Sequence, residues 1–416
     1  MSFNEKWREY TLKKIATLKR GYDLPKSKRF NGNFPILASN GIVGYHNQFK
    51  VEGPGVTTGR SGTLGKVFYI KDNFWPLNTS LYVEDFHGND EGFIYYYLQT
   101  LDFKNYNGGS SVPTLNRNHI HIIRVKIPSL PEQKSISAIL FSLNGKIELN
   151  NQINKNLEQI AQAIFKNWFI DFEFLNENGE PYKSSGGEMV DSELGAIPKG
   201  WKIIRLEHVV DEKKFSIVDG PFGTQLHAEE YQEIGIPVIR VTNLSFEGNF
   251  LRDSLVYITE EKFNHLIRSA VYPGDILLAK TGATIGKLAR VPKSIKKGLI
   301  ASSVMKISPN YKKFNEYYLF NVIKERSNRQ YWESVSGGST RPTINLADVK
   351  NVKLIYPSNK YVMKKYHEKV DYFYKLIEHN QEQNITLSKI RDILLPKLMS
   401  GEIRVPINSK NFNQLK

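Results

Sequence analysis

The chain is written twice. Leu157-Glu-Gln-Ile160, followed by Ile164 and Trp168, recurs as Leu387-Ser-Lys-Ile390 with Leu394 and Leu398, each 230 residues later. Other anchors repeat in the same order at smaller offsets: Trp7 with Trp201 (194), Pro35 with Pro237 (202), Gly65-Lys66 with Gly286-Lys287 (221), and Gly108-Gly-Ser110 with Gly337-Gly-Ser339 (229). Offsets that only rise mean collinear halves, so the fold is a duplicated module whose second copy is the longer. Such a chain offers two similar surfaces to something that itself has two parts.

With 416 residues, 40% of them hydrophobic and 12% aromatic, the chain can bury two cores of ordinary domain size. Lys and Arg outnumber Asp and Glu by 57 to 42, a net charge of +15, and polyanions are the natural partners of such a surface. The absence of cysteine excludes disulfides, thiolate metal sites and cysteine nucleophiles. Met1 to Tyr10 lacks an apolar signal core, and no apolar run approaches the roughly 18 residues of a membrane span, which sets the expectation of a cytoplasmic protein.

From Trp7 to Ile127 short mixed segments are broken by Gly, Pro and Asn. Alternating and β-branched runs predict strands over Gly55–Thr58, Lys66–Ile70, Ser80–Val83 and Ile120–Ile127, with a helix over Glu91–Leu101. That is an α+β pattern. Pro131 suits the first turn of a helix, where its missing N–H would go unpaired anyway. The helix that follows carries a heptad seam: Ile136, Leu140, Leu143, Ile147, Asn150, Asn154, Leu157, Ala161, Ile164 and Trp168. The second copy repeats the register as Tyr366, Val370, Phe373, Ile377, Asn380, Asn384, Leu387, Arg391, Leu394 and Leu398. Each seam has two asparagines at its midpoint. Antiparallel pairing would bring Asn150 near Asn384 and Asn154 near Asn380, a polar layer that costs stability and fixes register. Pro396 removes one backbone bond, so a kink or early end near Leu395 is expected, with Gly401 as terminator.

No catalytic constellation emerges. Lys280-Thr-Gly282-Ala-Thr-Ile-Gly286-Lys287-Leu288 looks like a phosphate-binding loop, yet it has three residues between its glycines where that motif has four. Leu288 also stands where the magnesium hydroxyl belongs. The first copy, Gly62-Thr-Leu-Gly65-Lys66, fits worse. His119 and His121 read as packing residues at alternate positions of the last strand. The loops instead offer hydroxyls, amides and cations on tight turns, groups that bond phosphate oxygens or base edges. The candidates are Arg60, Ser61, Thr63, Lys66 and Ser110 in the first half, with Gln225, Arg240, Asn243, Lys280, Thr281, Lys287, Ser339 and Arg341 in the second. The Pro-Thr-x-Asn segments ending at Asn116 and Asn345 read as structural.

Several segments taken together resemble the specificity subunit of a Type I DNA restriction-modification system. They are Pro128-Ser-Leu-Pro-Glu-Gln133, Phe165-Lys-Asn-Trp-Phe-Ile-Asp-Phe172, Asp219-Gly-Pro-Phe-Gly-Thr-Gln-Leu226, Pro273-Gly-Asp-Ile-Leu-Leu278 and Leu394-Leu-Pro-Lys-Leu-Met-Ser-Gly-Glu-Ile403. The likeness spans nearly the whole chain. Two departures are the missing Gly-Pro-Phe-Gly in the first half and Pro357-Ser-Asn-Lys360 in place of Pro-Glu-Gln before the second helix.

The resemblance implies two globular α+β target recognition domains, joined and separated by two long antiparallel coiled-coil helices with a pseudo-twofold internal repeat. It divides the chain into a first recognition domain (1–130), a first spacer helix (131–172), a linker (173–200), a second recognition domain (201–357), a second spacer helix (358–400) and a tail (401–416). It also implies sequence-specific binding of double-stranded DNA at a bipartite target, one domain per half-site. The subunit itself would be non-catalytic. Two methylation subunits using S-adenosylmethionine, and restriction subunits using ATP and Mg2+, would supply adenine methyltransferase and ATP-dependent endonuclease activity. The alternative is a coiled-coil protein-interaction scaffold without sequence-specific DNA binding. A seam from 136 to 168 spans about 48 Å at about 1.5 Å per residue, comparable with one to one and a half turns of B-DNA.

Overall fold

The two heptad seams become two long helices, Leu130–Phe169 and Lys360–Ser400, whose starts lie 230 residues apart. The structure is a computed structural model and is described for residues 6–106, 114–212, 215–222, 225–252, 254–312, 314–336 and 342–406. The second helix begins without Pro-Glu-Gln because Asn359 replaces it: its side-chain oxygen accepts the Tyr361 N–H at 2.8 Å. Pro396 does not end that helix, which runs on to Ser400 before Gly401 turns out at φ +76°. A proline so near the C-terminus forfeits a single bond, and Leu398 and Met399 beyond it are buried in the first domain's core.

The chain divides into two compact units, 1–150 with 383–416, and 151–382, so each contains one globular domain and half of each helix. In the first unit the helix halves run antiparallel. Asn150 Nδ2 donates to Asn384 Oδ1 at 2.8 Å and to Gln383 Oε1 at 2.8 Å, and Arg391 donates to Asn144 Oδ1 at 3.0 Å. In the second unit Asn380 Nδ2 donates to Asn154 Oδ1 at 2.9 Å, while Tyr366 packs among Phe165, Trp168 and Phe169.

The globular domains share a common set of elements, to which the second adds others. In the first, Arg8–Thr11 pairs with Arg124–Ile127, a closing ribbon beside the helices. In the second, Lys202–Arg205 pairs with Lys353–Tyr356 at the offsets of the flanking repeats, 194 and 229. Each domain holds a four-stranded sheet in one order: Thr17–Arg20, Ser80–Asp85, Gly55–Gly59, Val67–Ile70 in the first, and Ile217–Asp219, Val304–Ile307, Ile276–Ala279, Leu288–Arg290 in the second. A helix then lies between sheet and long helix, Glu91–Thr100 capped by Asp90 or Glu316–Lys324 capped by Asn315. Phe93, Ile136 and Leu140 share the first core, as Tyr318, Tyr366 and Val370 share a core in the second unit.

The strand expected over Ile120–Ile127 is only half a strand. Asn116 accepts the Asn118 N–H and caps a short helix, Arg117–His121, that buries Ile120, and the strand starts at Arg124. Asn345 caps Leu346–Lys350 in the same way, so the Pro-Thr-x-Asn segments end in helix caps. His121 therefore lies on a helix, where its Nε2 accepts the Leu18 N–H at 3.0 Å. The connector between the halves is folded, with Phe174 stacked on Trp201 at 5.1 Å.

Candidate nucleic-acid interface

The first glycine loop joins strands Gly55–Gly59 and Val67–Ile70, and the second joins Ile276–Ala279 and Leu288–Arg290, at the same corner of each sheet. One lattice of backbone bonds holds both. Arg60 N–H donates to Thr79 O at 2.8 Å, and its carbonyl accepts from Leu115 at 2.8 Å. Lys280 N–H donates to Ser303 O at 3.0 Å, and its carbonyl accepts from Ile344 at 2.9 Å. Ser61 bridges to Thr114 as Thr281 bridges to Thr343. Beside each loop a glycine ends the outer strand. A Cβ on Gly21 would lie 2.3 Å from Leu77 O, and one on Gly220 would lie 2.1 Å from Ala301 O, so no side chain fits there. Glycines at positive φ turn the loops themselves: Gly62 and Gly65 in the first, Gly282 and Gly286 in the second.

On this shared backbone the side chains differ. In the first loop Lys66 is exposed, Ser61 and Thr63 are half-buried, and Arg60 Nη1 donates to Asn78 O at 3.0 Å. In the second, Lys287 is half-buried with Nζ 5.4 Å from the Phe246 ring centre. Lys280 is only 5% exposed. Its Nζ lies 2.8 Å from Asp219 Oδ1, an ion pair without hydrogen-bond alignment, and 4.6 Å beneath the ring of Phe222, itself 54% exposed.

This corrects the reading of Lys280 as a surface cation: burial has given it an internal partner. Asn243 is corrected likewise. It is fully buried; its Oδ1 accepts the Arg240 N–H at 2.9 Å and its Nδ2 donates to Leu251 O at 2.9 Å, so the amide serves the loop backbone. Arg240 lies over the Tyr231 ring at 5.9 Å and donates to Ser254 O. Gln225 is exposed, its Oε1 accepting the Phe222 N–H at 3.2 Å. Ser110, Ser339 and Arg341 lie outside the described residues. Sequence reasoning passed over Asp219 and Phe222 as the groups that enclose Lys280, although both stand in Asp219-Gly-Pro-Phe222. The signal was an acid at the end of a strand next to a loop lysine.

Among the described residues no cluster of His, Asp and Glu could hold a metal ion, and no helix is long and apolar enough to cross a membrane. What the geometry defines is a tandem-repeat protein, two copies of one loop-bearing domain, each packed with half of each long helix.

The family model described as the Type I restriction modification DNA specificity domain matches the chain twice, at residues 4–159 and 198–389. The chain belongs to that family. It is 29% identical over 317 residues to the Type I restriction enzyme MjaIX specificity subunit of Methanocaldococcus jannaschii, covering 75% of this chain and 69% of that one. It is 24% identical over 347 residues to the HindI specificity subunit of Haemophilus influenzae, covering 70% and 71%. In fold it matches the crystal structure of the S subunit of a Type I restriction-modification system from M. genitalium, with a TM-score of 0.60 at 15% identity over 96% and 97% of the two chains.

Proposed function

We propose that this chain reads a bipartite double-stranded DNA target, one domain per half-site, and that its helix pair sets the spacing and docks methylation and restriction subunits. The reading rests on one observation above others: two loops with the same backbone lattice present different surfaces, half-buried Arg60 and exposed Lys66 in the first against buried Lys280 and half-buried Lys287 in the second. A shared lattice with changed side chains is what two readers of different sequences need, because phosphate contacts position a domain while a few side chains at base edges discriminate. Within this proposal the chain is non-catalytic. S-adenosylmethionine, ATP and Mg2+ would be used by the partner subunits.

The test is co-expression with the cognate modification subunit, followed by mapping of methylated adenines across the host genome. Two short motifs at a fixed separation are expected. A single continuous motif would overturn the one-domain-per-half-site reading, and an absence of motif would favour a protein-binding scaffold.

A further inference from the structure

The two domains place opposite charge chemistry at one equivalent position. Arg20 ends its strand opposite Leu81, Leu81 faces Thr58 on the other side, and Arg60 follows two residues on. In the second domain Asp219 stands opposite Met305, Met305 faces Leu278, and Lys280 follows two residues on. Arg20 therefore corresponds to Asp219, and Arg60 to Lys280. That side chains at these positions meet across the middle strand is seen directly in the second domain, where the ammonium and carboxylate lie 2.8 Å apart.

In the first domain both positions are arginine. Arg20 is exposed and Arg60 half-buried, and among the described residues neither forms an ion pair with a carboxylate. Asp23, three residues after Arg20, instead accepts from the Asn78 amide. Burial and the positive charge of Arg20 push the Arg60 guanidinium below its ordinary range. Two guanidinium groups at positions that face each other across the middle strand, one of them partly desolvated, repel unless an anion joins them, and their donor forks match phosphate geometry.

We infer that Arg20 and Arg60 form a phosphate site that grips the DNA backbone at the first half-site, whereas the second domain has closed the equivalent site internally with Asp219 under Phe222. The inference rests on the DNA-reading function proposed above and is tested in the same complex, with duplexes carrying the mapped target. The R20M/R60M double variant should lower the slope of log affinity against log salt by about 0.9, a roughly 3.5-fold smaller drop across a fourfold rise in salt. The loss should be equal on target and mismatched duplexes, with the methylated motif unchanged. R20K/R60K should keep the wild-type slope. An unchanged slope in the methionine variant would overturn the site, and so would a motif relaxed at one base pair, which would make the arginines base readers. Should the double variant fail to assemble, R20M alone, at an exposed position, gives the same reading. A wild-type complex with no preference among duplexes would instead refute the DNA-reading function itself.

Discussion

Asp219 stands between Lys280 and an unpaired charge in the second domain's interior. The pair is almost out of solvent, its side chains 7% and 10% exposed, and a buried ion left without its counter-ion typically costs about 3–5 kcal/mol. Asp219→Asn is therefore expected to lower the unfolding free energy of the second domain by about that amount in urea denaturation. Asp219→Asn with Lys280→Met should recover most of the loss, since removing both charges removes the penalty. His121 is expected to give the first domain a pH response. Burial, with Lys13 and Arg117 nearby, holds its imidazole below the ordinary range, and the neutral Nε2 accepts the Leu18 N–H. A histidine with a depressed native pKa adds stability that is present above its unfolded value, about 6.5, and is lost as the pH falls through the native value. The urea midpoint of the first domain should thus drop between pH 7.5 and 5.5, and His121→Gln should flatten that part of the profile. An equal drop in the variant would assign the effect elsewhere.

Among the elements, the long helices show what a polar layer in a seam does. Asn380 supplies the hydrogen bond that satisfies Asn154 Oδ1, while Asn150 Oδ1 is buried without a partner. Asn380→Ala strands a buried acceptor and should cost about 1–3 kcal/mol. Replacing Asn150, Asn154, Asn380 and Asn384 together by leucine should raise stability, because no amide remains to be satisfied, and loosen register. Urea titration of the two variants checks the opposite signs; same-sign shifts would mean that the layer is not a coupled unit.

These helices were legible in the sequence because a heptad pattern and its 230-residue echo are both periodic, and because two asparagines per seam admit one antiparallel match. Short elements were less so. Ile120-His-Ile-Ile-Arg-Val alternates like a strand, but one cap at Asn116 and the burial of Ile120 turned its start into helix. At the candidate interface, spacing located the loops but not the direction of their side chains. Lys280 and Lys66 read alike along the chain, and only the packing of Asp219 and Phe222 shows that one is internal and the other exposed.

For the molecule as a whole, the proposed spacing function turns on helix length. Both helices pass through both units, and the units divide at Asn150 and Glu382, beside the asparagine layer. If the helices set the separation of the half-sites, inserting four residues into each at the layer lengthens both by about 6 Å, roughly one turn, and nearly preserves the facing of the seams. A rise of about 3.4 Å per base pair converts that to a spacer longer by about two base pairs, with both half-site motifs unaltered. Methylation mapping of the inserted variant reads spacer and motifs in one experiment. An unchanged spacer would remove the helices as the determinant of separation, whereas altered motifs would mean that the insertion had disturbed the domains. Seven residues in each helix, a full heptad, keep the seam in register more closely than four and should lengthen the spacer by about three base pairs. A spacer that grows in proportion to the insertion, from four residues to seven, is what a rigid helical spacer requires and a flexible tether does not.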